Sequence, residues 1–338
     1  MNPTFIRLPL VILLLATAIT TTLSQSQPTK DAPKVPTVSW PTQPIKLLVG
    51  FPAGSVQDIS ARIIAEPLSQ SLGQPVIVEN KVGASGSIAA AQVAKATDGH
   101  TFGVMNNSQL TIAKILNPAS TYDPETDLAP IALIGTTPMV MVISNAAEGK
   151  SRAEWLTWLR NQGSKANYGS PGIGTPGHLG MELIKSRSGG LMAVHIPYPG
   201  NPQVISAILG GQVQMALLPP GLAMQQVRAG KMRAVGITTD NRSALAPDIP
   251  TLREAGINGA DVELITALAG PASISLAVRD KLSAAVLETG KSEETRRRYL
   301  TAGWQPSFSN AVGLFSRIHQ ETRKLGGIIM MFGIRSDS

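Results

Sequence analysis

The stretch Gly50-Phe51-Pro52-Ala53-Gly54-Ser55-Val56-Gln57-Asp58 constrains this chain more than any other. The apolar run from Ile45 to Phe51 reads as a buried strand. It breaks at a Pro/Gly turn, and Asp58 opens a helical pattern with Ile59, Ile63, Ile64 and Leu68 on one side. A strand, a glycine turn and a helix in that order aim backbone N–H groups and the positive end of a helix dipole at one point. Such a point suits a small anion. Taken singly, the pattern is equally a plain tight turn of an α/β domain. Similar turns recur down the chain, and the recurrence gives the first one its weight.

The N-terminus bears on location. Arg7 precedes an uninterrupted apolar or small stretch from Leu8 to Ile19, followed by Thr/Ser/Gln-rich sequence. About a dozen apolar residues is the length of a signal-peptide core and short for a membrane span. Residues 1–24 are therefore expected to be a signal peptide, with an uncleaved anchor as the alternative. Residues 25–40 read as a Pro-rich linker without periodicity. The chain has no cysteine, which excludes disulfides, thiol catalysis, Cys-ligated zinc and a lipid-bearing cysteine. An exported chain without disulfides fits a bacterial periplasm better than a small secreted scaffold.

At 338 residues the chain has room for about two domains. Pro75 to Glu79 is a second short strand, leading through Gly83-Ala84-Ser85-Gly86-Ser87 into an alanine-rich helix. Thr101 to Met105 is the next strand and ends at Asn106-Asn107-Ser108. This is the βαβαβ rhythm of a parallel sheet, with its loops gathered at the strand C-termini. Ile131 to Gly135 and Met139 to Ser144 also read as strands, and Ser151-Arg152-Ala153-Glu154 is a capping box. A second βα series follows, with turns at 170–178 and 198–203 and strands at 194–197, 213–218 and 234–238. The late segments 278–287, 293–300 and 312–325 are amphipathic helices without a sheet of their own, so they are expected to pack back on the first sheet. The expected fold is α/β with two lobes: a discontinuous first domain, 41–130 and 241–338, and a second, 131–240, joined by two hinge crossings.

The chemistry on offer is narrow. Gly172-x-Gly174-x-x-Gly177 matches a dinucleotide fingerprint literally, but prolines crowd it and no acidic residue follows at the required spacing. Gly83 to Ser87 only approximates a nucleophile elbow. The four histidines, His100, His178, His195 and His319, show no metal-ligand spacing. No catalytic residue, metal site or cofactor is expected. The net charge of +7 gathers late, and Arg296-Arg297-Arg298 follows Glu293-Glu294 on a helical pattern, which reads as a solvated face. With 4% aromatic residues there is no stacking platform, and no nucleic-acid partner is expected. What remains is four turns, 52–58, 83–88, 170–178 and 198–203, rich in Gly, Ser, Thr and Asn and without arginine. A pocket built from them would hold a carboxylate through backbone N–H and hydroxyl donors, with ordered water completing the shell.

Several segments carry a resemblance. They are Phe51-Pro52-Ala53-Gly54-x-x-x-Asp58, Leu72-Gly73-Gln74-Pro75-Val76-x-Val78-Glu79-Asn80, Gly174-Thr175-x-x-His178-Leu179, Val194-His195-Ile196-Pro197-Tyr198 and Leu209-Gly210-Gly211-Gln212-Val213-Gln214. Together, in order from about Trp40 to the C-terminus, they resemble the Bug-type, or tripartite tricarboxylate transporter, substrate-binding receptors. The resemblance implies a monomeric periplasmic Venus-flytrap receptor that captures a small mono- or dicarboxylic acid between two closing lobes. It also implies membrane permease subunits as partners in some members; a sensor with a signalling partner and a bilobal hydrolase are the alternatives. Carried over by position, Phe51, Pro52, Ala53, Gly54 and Asp58 would line one lobe's site, joined by Ser85, Asn107 and Ser108. Ser170, Gly174, Thr175, His178 and Tyr198 would line the other. Asp58 has two readings, helix N-cap or partner for a ligand amino or hydroxyl group. The sequence departs from the family pattern at Ser55-Val56, at Leu217-Leu218, at Pro199 and at Pro67 inside the first helix.

Overall fold

The computed structural model describes residues 39–336. The expected signal peptide and nearly all of the expected linker lie outside these residues. Among the described residues no helix is long and apolar enough to cross a membrane.

The chain opens with β1 (Ile45–Val49), α1 (Val56–Leu72), β2 (Val76–Asn80), α2 (Ser87–Ala94) and β3 (Thr101–Asn106). A π-helical turn, Ser108–Ile112, leads into the short α3 (Ala113–Leu116). Two strands, β4 (Leu128–Pro138) and β5 (Val140–Ser144), run almost end to end, and α4 (Arg152–Gln162) follows. The second βα series is β6 (Ala166–Ser170), α5 (Pro176–Arg187), β7 (Ala193–Pro197), α6 (Asn201–Leu209), β8 (Met215–Leu218), α7 (Pro220–Arg228) and β9 (Met232–Ile237). The chain ends with β10 (Glu263–Pro271), α8 (Leu276–Lys291), α9 (Glu293–Thr301), β11 (Gln305–Asn310) and α10 (Ala311–Phe332).

Two sheets result, ordered β11-β4-β10-β3-β1-β2 and β7-β6-β8-β5-β9. In each, parallel pairing joins the βα units, β1 with β2 and β3, and β6 with β7 and β8. Antiparallel strands complete the sheets. This is the two-lobe α/β architecture expected from the sequence. Parallel pairing puts the loops after β1, β2 and β3 on one edge of the first sheet, and those after β6, β7 and β8 on one edge of the second.

The lobe limits differ from expectation in detail. β4 belongs to the six-stranded sheet, so the expected division at 131 falls inside it and the chain passes to the second sheet at Met139. After β9, the segment carrying Ala246 and Ile249 still packs on the second sheet, and Leu252 donates to Ile237 O at 2.8 Å. The return passage therefore comes just before Glu263, later than the expected 241. The two passages are tied together at Thr238. Its hydroxyl accepts from Met139 N at 2.8 Å and donates to Val262 O at 2.7 Å, and its own N–H donates to Met139 O at 2.9 Å.

The late helices pack on the first sheet as expected, with α8 against β4 and β11 and α10 against β4. The two strands among them are not foreseen by the sequence reading. β10 is nevertheless the middle of the first sheet, between β4 and β3. The C-terminal half of α10 reaches further. Leu325, Ile328 and Ile329 pack with Ile112 and Leu116 of the first lobe and with Leu179 and Leu183 of α5 in the second. The helix α1 runs through Pro67 as a single 17-residue element.

Candidate functional site

The turn after β1 is braced by its own neighbours. Ser55 is the N-cap of α1, and its hydroxyl accepts from Asp58 N at 3.4 Å. Asp58, at the third helical position, reaches back past the cap to accept from Gly54 N at 3.0 Å, while Ser55 N donates to Pro52 O at 3.1 Å, so the arrangement resembles a capping box shifted by one residue. Its other oxygen accepts from Arg62 Nε and from Asn80 Nδ2, both at 3.0 Å, and Asn80 also donates to Phe51 O at 2.9 Å. Burial alone would push the Asp58 carboxyl up. The hydrogen bonds from Arg62, Gly54 and Asn80, with the Arg62 charge, outweigh it and hold the group below the usual carboxylate range. Ser55 thus fills the cap role that one sequence reading gave to Asp58. Asp58 itself is spent holding the turn in shape, inside its own lobe.

The turn after β2 contains two non-glycine residues in the left-handed region, Ala84 at φ 46° and Ser85 at φ 52°. Such conformations cost on the order of 1–3 kcal/mol each and persist only where the surroundings impose them. Gln109 does so in part, donating from Nε2 to Gly86 O at 3.0 Å while its Oε1 accepts from Asn106 N at 3.1 Å. The turn after β3 divides the two residues expected there. Ser108 donates to Asn106 Oδ1 at 2.6 Å. Asn107 points the other way, donating to Glu321 Oε2 at 2.6 Å and to Glu263 O at 3.1 Å, and accepting from Ile265 N at 2.8 Å. It ties the turn to β10 and α10.

In the second lobe, Thr175 donates from its hydroxyl to Gly172 O at 2.7 Å. Ser170 donates to Gly172 O at 3.0 Å and lies 2.6 Å from His195 Nε2. His178 is turned inward. Its Nδ1 accepts from Gly174 N at 3.0 Å, and its ring stacks on His195 with centroids 3.9 Å apart. Burial, helped by the Lys185 charge, lowers His178 to about 4. Burial and the neighbouring His178 lower His195 to about 3, with Lys185 adding to the shift and Glu182 opposing it. Both rings are neutral at neutral pH and act as props for the 170–175 turn. Tyr198 donates its N–H to Ser170 O at 2.9 Å and packs on the second lobe's core.

The lobes meet closely across these turns. A Cβ on Gly200 would lie 2.6 Å from Pro52 Cγ, and one on Gly172 would overlap the Ser85 hydroxyl. Further along, Gly221 of α7 sits against Ala302 and Gly303 of the first lobe. Between the turns lies a cavity of about 10 Å³. Phe51, Ser55, Gln57 and Asn106 line it from the first lobe, and Thr175, Gly177 and Asn201 from the second. Met139 and Leu264, at the two passages, complete its apolar part. Its lining holds no charged side chain. Ser85 and Ser108 instead line a neighbouring crevice of about 430 Å³, with Ser87, Asn117 and Ile173.

Of the residues expected from the sequence, Phe51 and Thr175 thus face the central cavity. Pro52, Gly54, Ser85 and Gly174 form the apposed rims, and Asp58, Asn107, Ser170, His178 and Tyr198 support the turns from behind. Ala53 is exposed. The sequence reading passed over Gln57, Asn106 and Asn201. Three helices begin at the cavity: α1 near Ser55 and Gln57, α5 at Thr175 to Gly177, and α6 at Asn201. Asp58 N is capped, His178 N is taken by Thr175 O, and Pro176 and Pro202 have no N–H, so the three dipoles and the few remaining first-turn amides are what favour a negative charge between them.

Residues 60–334 match the family described as tripartite tricarboxylate transporter family receptor. A UPF0065 protein of Bordetella pertussis is 33% identical over 298 residues, covering 88% of this chain and 92% of the relative. Three solved structures are similar over nearly their whole length. Rhodopseudomonas palustris Rpa4515 with adipate has a TM-score of 0.83 at 26% identity, covering 88% of this chain and 99% of that one. The periplasmic binding protein BugD has a TM-score of 0.82 at 27% identity, with the same coverage. MatC from R. palustris with bound malate has a TM-score of 0.79 at 27% identity, covering 86% of this chain and all of that one.

Proposed function

This chain belongs to the tripartite tricarboxylate transporter family of receptors, and on that footing we propose that it captures a small organic acid between its two lobes for uptake. The family is one of solute-binding receptors and not of enzymes. The observation that carries the reading is the cavity itself. Three helix N-termini converge on it, and Gln57 presents a buried Nε2 without a hydrogen-bond partner among the described residues. That is a setting for a carboxylate held by neutral donors, with no cationic side chain to desolvate. Malate and adipate in the structural neighbours support the same class of ligand here.

At about 10 Å³ the cavity has room for about one water, so admitting an acid requires the lobes to part and close again around it. Both lobes then contribute donors, and a ligand that bridges them stabilises the closed state. The N-terminal segment would export the chain to the periplasm, and a membrane permease would receive the ligand.

The test is a thermal-shift and calorimetric screen of small mono- and dicarboxylates. An acid present at about 100 times its dissociation constant should stabilise the protein by about 2.7 kcal/mol. Gln57→Leu should weaken its binding about tenfold or more. A protein stripped of co-purified ligand that responds to no acid would end the carboxylate reading. Recovery in the cytoplasmic fraction would end the export reading.

A further inference from the structure

Two amide side chains line the central cavity from opposite lobes, Gln57 at the start of α1 and Asn201 at the start of α6. Gln57 is 2% exposed and Asn201 4%. Neither Gln57 Nε2 nor Asn201 Oδ1 has a hydrogen-bond partner among the described residues. Gln203 Oε1, in the same first turn of α6, is also without one. Buried polar atoms in native proteins are overwhelmingly paired, and an unpaired acceptor sealed from water is unfavourable enough to require a reason.

We infer that Asn201 selects ligands that carry a hydrogen-bond donor beside the carboxylate, such as a hydroxy acid or an amino acid, over the plain acid of the same skeleton. The inference rests on the carboxylate-receptor reading and narrows it. A carboxylate satisfies Gln57 Nε2. It cannot satisfy Asn201 Oδ1, because an ionised carboxylate only accepts and has no proton to offer. A ligand whose polar atoms are all carboxylate oxygens therefore leaves the Asn201 oxygen orphaned and sets acceptor against acceptor. A ligand O–H or N–H pointing at α6 pairs it. Turning Asn201 alone would set two donors, Gln57 Nε2 and Asn201 Nδ2, toward the ligand and would favour the plain acid, an outcome that titration of matched acids tells apart. The competing account is one water bridging Asn201 to the ligand, which would give no preference between the two kinds of acid.

Calorimetric titration of the full chain against matched pairs separates these accounts: malate with succinate, lactate with propionate, and alanine with propionate. In whichever pair binds, the donor-bearing member should bind about 10- to 100-fold more tightly. Asn201→Ala should bring the two members to within about threefold, chiefly by weakening the donor-bearing one. Asn201→Ser, which keeps an oxygen at that turn, should retain part of the preference. Members of a pair binding wild type within threefold of each other, or the plain acid binding more tightly, would overturn the role given to Asn201 and leave the carboxylate reading standing. Failure of every acid to bind would remove both.

Discussion

Gly221→Ala separates the closure of the lobes from their folding. Gly221 lies in the first turn of α7, in ordinary helical backbone, so alanine is compatible there and intrinsically a better helix former by up to about 1 kcal/mol. By itself the substitution should leave the unliganded protein as stable as before, or slightly more so. Across the lobe boundary the result is different. The new Cβ would overlap the carbonyl oxygen of Ala302 and stand 2.7 Å from its carbon and 3.2 Å from Gly303 Cα. Atoms in favourable contact stand about 3.5–4.0 Å apart, so clearing the overlapped oxygen would require the lobes to separate locally by more than about 1 Å. The obstacle is backbone, which cannot swing aside as a side chain does. Overpacking of this kind costs about 1–3 kcal/mol, and here it falls on the closed state alone. Affinity for any acid that wild type closes on should then drop about 5- to 150-fold, with the unliganded melting temperature unchanged or raised. Calorimetry gives the affinity, and small-angle scattering at saturating ligand should show a larger radius of gyration than wild type. Binding within twofold of wild type would refute the argument that the Gly221 seat limits closure.

Three further outcomes follow from the site. The folded-state pKa of Asp58 lies below its ordinary value, so the stability it provides is present above about pH 4 and is lost as pH falls through the folded pKa; Asp58→Asn should flatten melting temperature against pH in that acid range. His178 is also lowered, to about 4, so the unfolded chain takes up its proton first. Stability should fall by about 3 kcal/mol from this group between pH 6.5 and 4, and His178→Gln should remove much of that slope in denaturant titrations. Thr238→Val leaves the buried Met139 N–H without its acceptor, and a loss of about 1–3 kcal/mol in chemical denaturation is expected.

Most of the βα framework was legible because each unit announces itself. An apolar run, a Gly/Pro turn and a 3.6-period stripe mark β1–α1, and at β6–α5 the Gly/Pro turn and the helical stripe of Leu179, Leu183 and Ile184 do so although the strand itself is short and mixed. β10 was not legible. Leu264-Ile265-Thr266-Ala267-Leu268-Ala269 is a short apolar run with as much alanine as β-branched residue, and periodicity cannot tell such a run from a buried helical segment. β11 was hidden for the opposite reason: Gln305-Pro306-Ser307-Phe308-Ser309-Asn310 is polar, as an edge strand can be. At the site, position in the turns was readable but direction was not. Asn107 and Ser108 are neighbours in sequence, yet one faces α10 and the other the crevice. A signal for Gln57 and Asn201 did exist. Gln57 stands in line with Ala61, Ile64 and Leu68 on the buried stripe of α1, and Asn201 with Val204 and Ile208 on that of α6. A polar residue heading an otherwise apolar stripe is a polar residue about to be buried where a helix begins.

The packing of α10 on α5 has a mechanical meaning. The Thr238 tie fixes the two passages at one place, and the cluster of Leu325, Ile328 and Ile329 with Leu179 and Leu183 pins the lobes at a second. Two bearings define an axle. Rotation about it leaves both nearly undisturbed, while any other movement would tear a hydrogen-bonded tie or expose an apolar contact. The rims at Pro52 and Gly200, and at Ala302 and Gly221, have no such anchorage and would travel farthest. The gate through which a solute enters is then set by where the body is fastened, and not by the turns that hold the solute once it is inside.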